Sequence, residues 1–78
     1  MYLEIITPDQ KLFSGEVKSV TFPGKQGVFG VLNRHASIIS SLKPGKIKVT
    51  NEAKQIQYFE VKGGVVEVLK NKVIVLAQ

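Results

Sequence analysis

Turn signals recur along this chain every eight to twelve residues, and no stretch of helix length carries a 3.6-residue apolar period. A chain punctuated this way can bury its apolar residues only by folding short strands onto one another, so the spacing predicts a sandwich or barrel. Residues 2–7 alternate and stop at Pro8-Asp9, where proline fixes φ and a short acid can accept from backbone N–H groups. Phe13-Ser14-Gly15 reads as a second break. Residues 16–22 read as one strand, with Lys18, Val20 and Phe22 on one face and Val17, Ser19 and Thr21 on the other. Pro23-Gly24 ends it.

Residues 27–32 read as a short strand bracketed by Gly27 and Gly30, followed by a polar turn at Asn33-Arg34-His35. Residues 36–42 are apolar with interleaved serines, consistent with a helical turn or an irregular strand. Lys43-Pro44-Gly45-Lys46 is the sharpest turn in the sequence, with the proline and glycine order that favours type II geometry. Beyond it the pattern is strand throughout. Ile47 and Val49 point inward, Asn51 to Lys54 turn the chain, and Ile56, Tyr58 and Glu60 share a face opposite Phe59 and Val61. Gly63-Gly64 then introduces residues 65–69, which the Lys70-Asn71 turn joins to residues 73–76. These last two strands are apolar on both faces. One face needs a core, and the other predicts an interface.

The 78 residues make one domain, 1–78, near the lower size limit for a fold resting on its own core. Cysteine is absent, so neither a disulfide nor a thiolate metal site can contribute. The net charge of +5 comes from lysines spread along the chain. It points only weakly to an anionic partner, because lysine on strand edges and solvated faces also blocks unwanted pairing. An acid at Glu4 and no basic segment ahead of an apolar run exclude a signal-peptide reading, and no apolar run is long enough to span a bilayer.

Catalytic chemistry finds few candidates. Glu60 and Glu67 could meet on adjacent antiparallel strands, although a cross-strand lysine is the favoured partner for either. His35 lacks the second ligand or nearby acid that a metal or nucleophile site requires, and Ser37, Ser40 and Ser41 lack a nucleophile elbow. Gly24, Gly27 and Gly30 flank Val28-Phe29 instead of opening a helix, so they read as turn and packing glycines and not as a phosphate loop. Nucleic-acid binding by a small basic β-barrel is the alternative the charge leaves open, but Phe22, Phe29, Tyr58 and Phe59 are few for a stacking surface. No catalytic, cofactor-binding or metal-ligating residue is expected.

Five motifs in register then carry a resemblance. Residues 17–24 (VKSVTFPG), residues 26–32 (QGVFGVL) with His35-Ala36, residues 42–45 (LKPG), residues 61–68 (VKGGVVEV) and residues 71–77 (NKVIVLA) follow in order, after Ile6-Thr7-Pro8 and Phe13-Ser14-Gly15. Together they resemble the epsilon subunits of bacterial F-type ATP synthases, called delta in mitochondria, over essentially the whole chain. The resemblance implies an all-β, flattened sandwich of about ten short, mostly antiparallel strands, without the C-terminal helical hairpin that many members carry. It implies a non-catalytic rotor subunit that links the gamma subunit to the c-ring, without inserting into the membrane or binding nucleic acid. Such a subunit is peripheral on the cytoplasmic face of the bacterial inner membrane. The implied interface residues are Val28, Phe29, Asn33, Arg34 and His35, with Gly24, Gly27, Gly30, Pro44, Gly45, Gly63 and Gly64 as structural turns.

The chain departs from the family pattern at Leu32-Asn33-Arg34-His35-Ala36-Ser37, where relatives usually read leucine-proline-glycine-histidine-alanine-proline. Arg34 adds a fork-shaped donor suited to a carboxylate. Where Val28 stands, relatives often have an acid. A chain without the helical arm is not expected to restrain ATP hydrolysis through it, nor to bind nucleotide.

Overall fold

The computed structural model describes residues 1–32 and 37–78. Nine strands follow in order: β1 (Tyr2–Ile6), β2 (Lys11–Glu16), β3 (Ser19–Gly24), β4 (Gly27–Leu32), β5 (Ile38–Leu42), β6 (Gly45–Thr50), β7 (Ile56–Val61), β8 (Gly64–Leu69) and β9 (Lys72–Ala77). There is no helix among the described residues. Hydrogen bonding runs β2-β1-β9-β8-β5-β3-β6-β7, with β4 added to β3. All pairings are antiparallel except β1 with β9.

This path folds over itself into two layers. β2, β1, β9, β8 and β5 form the first, and β4, β3, β6 and β7 form the second. The layers meet where β3 leaves β6 after Thr21 and bridges to β5 at Gly24–Leu42. On the opposite side the terminal strands approach through their side chains, with the Phe13 and Phe59 rings 5.6 Å apart in an edge-to-face contact.

The core follows from the strand period of two. Leu3 and Ile5 from β1, Val66 and Val68 from β8, and Val73 and Val75 from β9 face Val20 and Phe22 from β3, Val31 from β4, and Ile47 and Val49 from β6. Each of these is essentially sealed from solvent, and no polar or charged residue is buried among the described residues. With no buried polar group to satisfy, side-chain specificity in the core rests on shape alone.

Two local expectations are corrected by these layers, and one alternative is settled. Val17 is fully buried and not on the face opposite Val20. The chain changes layer there: the Val17 amide donates to Met1 O of the first layer (2.8 Å), and the Lys18 amide to Thr50 O of the second (2.8 Å). Residues 16–22 are therefore two segments, and a single alternation cannot describe them. Phe13-Ser14-Gly15 lies inside β2, paired with β1 through Leu3–Gly15 and Ile5–Phe13, and is no break. Residues 38–42 form a strand, settling the alternative left open there.

The Pro44-Gly45 step is likewise no type II turn, since Gly45 already belongs to β6 and lacks the positive φ that such a turn demands. Its glycine is required for another reason. A Cβ at Gly45 would lie 2.8 Å from Pro23 Cβ, where the crossing chain passes β3. Gly64 needs glycine twice over. Its φ is +143°, and a Cβ would lie 2.4 Å from Leu76 O.

Candidate functional site

The outer faces of the two layers carry what the core does not use. On the first layer, register places Ser41, Val65, Leu76 and Ile6 in one row and Ile39, Glu67, Ile74 and Glu4 in the next. Ile39 is 73% exposed and Leu76 58%, with Val65 and Leu69 also open to solvent. On the second layer Val28 (71%), Leu32 (63%), Ile56 and Tyr58 are exposed. Apolar residues on both sides of one sheet are what a part clamped between neighbours requires.

The expected interface residues separate once their positions are known. Val28 points to solvent at the start of β4. Phe29, one residue on, turns inward and packs on Phe22 at 5.4 Å, directly across the β3–β4 hairpin. Asn33, Arg34 and His35 lie outside the described residues. Of the expected turn residues, Gly24 and Gly27 close the β3–β4 hairpin, Gly63 stands between β7 and β8, and Gly64 opens β8. Pro44 lies between β5 and β6, whereas Gly30 falls inside β4 opposite Thr21. Ile39 was not singled out in sequence. The signal lay in residues 36–42, which alternate once they are recognised as a strand.

Among the described residues, ionisable groups do not converge on a reactive site. Glu60 and Glu67 are in different layers. Glu60 stands opposite Lys46, and Glu67 lies between Ile39 and Ile74. Among the described residues the ion pairs are Lys11 with Glu4 (2.9 Å) and the N-terminal amine with Glu16 (3.6 Å). The hydrogen bond from Lys11 holds the Glu4 carboxyl below its ordinary range, and the same bond raises Lys11. No group of three or more metal-ligating side chains is gathered among the described residues. No helix among the described residues is long and apolar enough to cross a membrane.

The fold and its relatives indicate the role more directly than any cluster of side chains among the described residues. The family described as ATP synthase, Delta/Epsilon chain, beta-sandwich domain, matches residues 1–78. The chain belongs to this family. Among curated relatives it is 46% identical over 76 residues to the ATP synthase epsilon chain of Sulfurimonas denitrificans, covering 97% of this chain and 58% of that one. It is 41% identical over 76 residues to the epsilon chain of Chlorobium limicola, covering 97% and 86% respectively. The chain thus spans little more than half the length of the first of these relatives.

Two solved structures share the fold. One is a chain of the Euglena gracilis mitochondrial ATP synthase, in a cryo-EM structure of its OSCP/F1/c-ring (TM-score 0.91, 25% identity, 96% of this chain and 48% of that one). The other belongs to the central stalk and c-ring structure of the Tetrahymena thermophila enzyme (TM-score 0.83, 21% identity, 100% and 63%), a likeness of fold alone. The all-β sandwich expected from the sequence is the fold observed, with nine strands among the described residues.

Proposed function

We propose that this epsilon-family domain is a non-catalytic part of the central stalk of an F-type ATP synthase, joining the gamma subunit to the c-ring so that rotor and ion passage stay coupled. The family match along residues 1–78 carries this reading. It is supported by a core without buried polar residues among those described and by apolar residues exposed on both outer faces. A part that transmits torque has to be stiff inside and gripped outside, and closed sheet packing supplies the stiffness. On this reading the domain is peripheral, on the cytoplasmic face of the bacterial inner membrane. The exposed rows of β5, β8 and β9 pack on a partner, and Val28, Asn33, Arg34 and His35 are offered to the stalk and ring.

Co-purification tests the reading. The chain, co-expressed with the gamma subunit of its own organism, is expected to elute with it as a stable complex at physiological salt. Elution as a free small protein, with no association to gamma alone or with the c-ring, overturns it. Replacing Arg34 with Ala is expected to weaken attachment to the ring more than it lowers the melting temperature of the domain.

A further inference from the structure

We propose that the open edge of β4 is a pairing site for a second copy of this chain, which adds its own β4 antiparallel about Gly30. The proposal concerns the domain outside an assembly and does not rest on the rotor-stalk reading.

Hydrogen bonding along the β3–β4 hairpin decides which amides face that edge. Antiparallel partners alternate between pairs that exchange both bonds and pairs that exchange none. Pro23 stands opposite Val28 and has no N–H to give, and its carbonyl is taken by the Lys43 amide (2.9 Å). Pro23–Val28 is therefore a pair without bonds, and by alternation so are Thr21–Gly30 and Ser19–Leu32. The N–H and C=O groups of Val28, Gly30 and Leu32 then point away from β3, toward the edge. No strand among the described residues pairs with them there.

This edge lacks the usual safeguards. β2, β4 and β7 each pair on one side only. β2 carries Lys11 and Glu16 and β7 carries Glu60, and such charges discourage another strand from adding to an edge. β4 holds no charge and no proline, and Val28 and Leu32 stand exposed on it. Gly30 between them is not required by the fold. It lacks a positive φ, and a Cβ there would meet nothing nearer than 3.9 Å. A glycine of that kind inside a strand often marks the close approach of another backbone.

The occupant follows from symmetry and charge. Antiparallel pairing centred on Gly30 puts Gly30 opposite Gly30, and Val28 opposite Leu32 of the other copy, each pair exchanging both bonds. Val28 and Leu32 share a face, so apolar side chains meet across the junction at both ends. A charged strand would find no counter-charge in β4. The net charge of +5 does not oppose the pairing. Lys18, Lys25 and Lys48 flank β4 on its own sheet. Their closest approach across the junction, Lys18 to Lys25 of the other copy, is roughly 13 Å between backbones. That exceeds the screening length of about 8 Å at physiological salt. One short strand against another buries far less than the ~800 Å² a side of a stable dimer, so the pair is weak and forms only at high concentration.

The test is sedimentation and amide hydrogen exchange of the chain alone, from about 10 µM to about 1 mM, the range of a weak contact. The mass is expected to rise from monomer toward dimer, and exchange at Val28, Gly30 and Leu32 to slow in step. Phe29 and Val31, already bonded to β3, are expected to stay as they are. Gly30→Lys sets two lysines opposite each other, and Val28→Lys sets one against Leu32. Each is expected to weaken the pair about tenfold or more, once melting curves establish that at least one remains folded. Gln57→Lys, which adds the same charge on β7, is expected to pair as the unmodified chain does, and high salt is expected to leave the dimer intact. A monomer throughout, a dimer with the three edge amides unprotected, or no weakening by the folded β4 variants would overturn the proposal. So would equal weakening by Gln57→Lys, dissolution in high salt, or protection of those amides only on adding gamma and the c-ring.

Discussion

Val66, Val68, Val73 and Val75 are sealed from solvent, whereas Val65, Leu69 and Leu76, on the same two strands, lie open to it. The residue types are nearly the same and the positions interleave. The period of two in an extended chain, together with the β8–β9 register, sends one set into the core and the other to the surface. Hydrophobicity therefore has two roles in these strands. The inner set makes the fold, and the outer set waits for a neighbour.

Mutation should separate the two roles. The largest effect is expected inside: Phe22→Ala removes the bulkiest fully buried side chain and its contact with Phe29, and should cost about 3–5 kcal/mol. Denaturant unfolding measures it, and a loss below about 1 kcal/mol would mean the core is not packed as described. Gly64→Val should follow, at a cost on the order of 3 kcal/mol, since it combines a positive φ with a Cβ placed against Leu76 O. A melting temperature unchanged from the parent would show that the β7–β8 connection can relax. The third change breaks the comparison from outside. Leu76→Ser should alter stability by no more than about 0.5 kcal/mol while weakening association with gamma in a co-purification assay. Stability lost together with binding would assign Leu76 to the core after all.

How far these roles were legible in the sequence depends on distance along the chain. Alternation identified Ile47 and Val49 as inward and separated Ile56, Tyr58 and Glu60 from Phe59 and Val61; the structure agrees, and shows the first of those two sets to be the exposed one. It misplaced Val17 because a change of layer leaves no mark on a local period. It read Phe13-Ser14-Gly15 as a break because the pairing that holds those residues in β2 comes from β1, at Ile5, Glu4 and Leu3, outside the local pattern. The candidate surface follows the same rule. The resemblance offered Val28 and Phe29 together as interface residues, and only the hairpin register that puts Phe29 across from Phe22 separates them.

The smallest expected effect tests whether the outer face of the first layer carries folding stability of its own. There Lys11 reaches Glu4 at 2.9 Å, the one close side-chain ion pair among the described residues. The bond holds the Glu4 carboxyl below its ordinary value of 4.5, so the native state favours the ionised form more than the unfolded chain does. That contribution is complete above 4.5 and fades as pH falls through the lowered native value. Lys11 is raised above 10.5 by the same contact, so its share is complete below 10.5 and fades as pH rises through the raised value. Glu4→Gln should therefore lower the urea midpoint slightly at pH 7, and the gap to the parent should close on acidification below pH 4.5. Because both groups are reached by solvent, added salt should shrink the gap at pH 7 as well. A gap that persists in acid would mean Glu4 acts through packing and not through charge, and the outer face of this layer would then share in the work of the core.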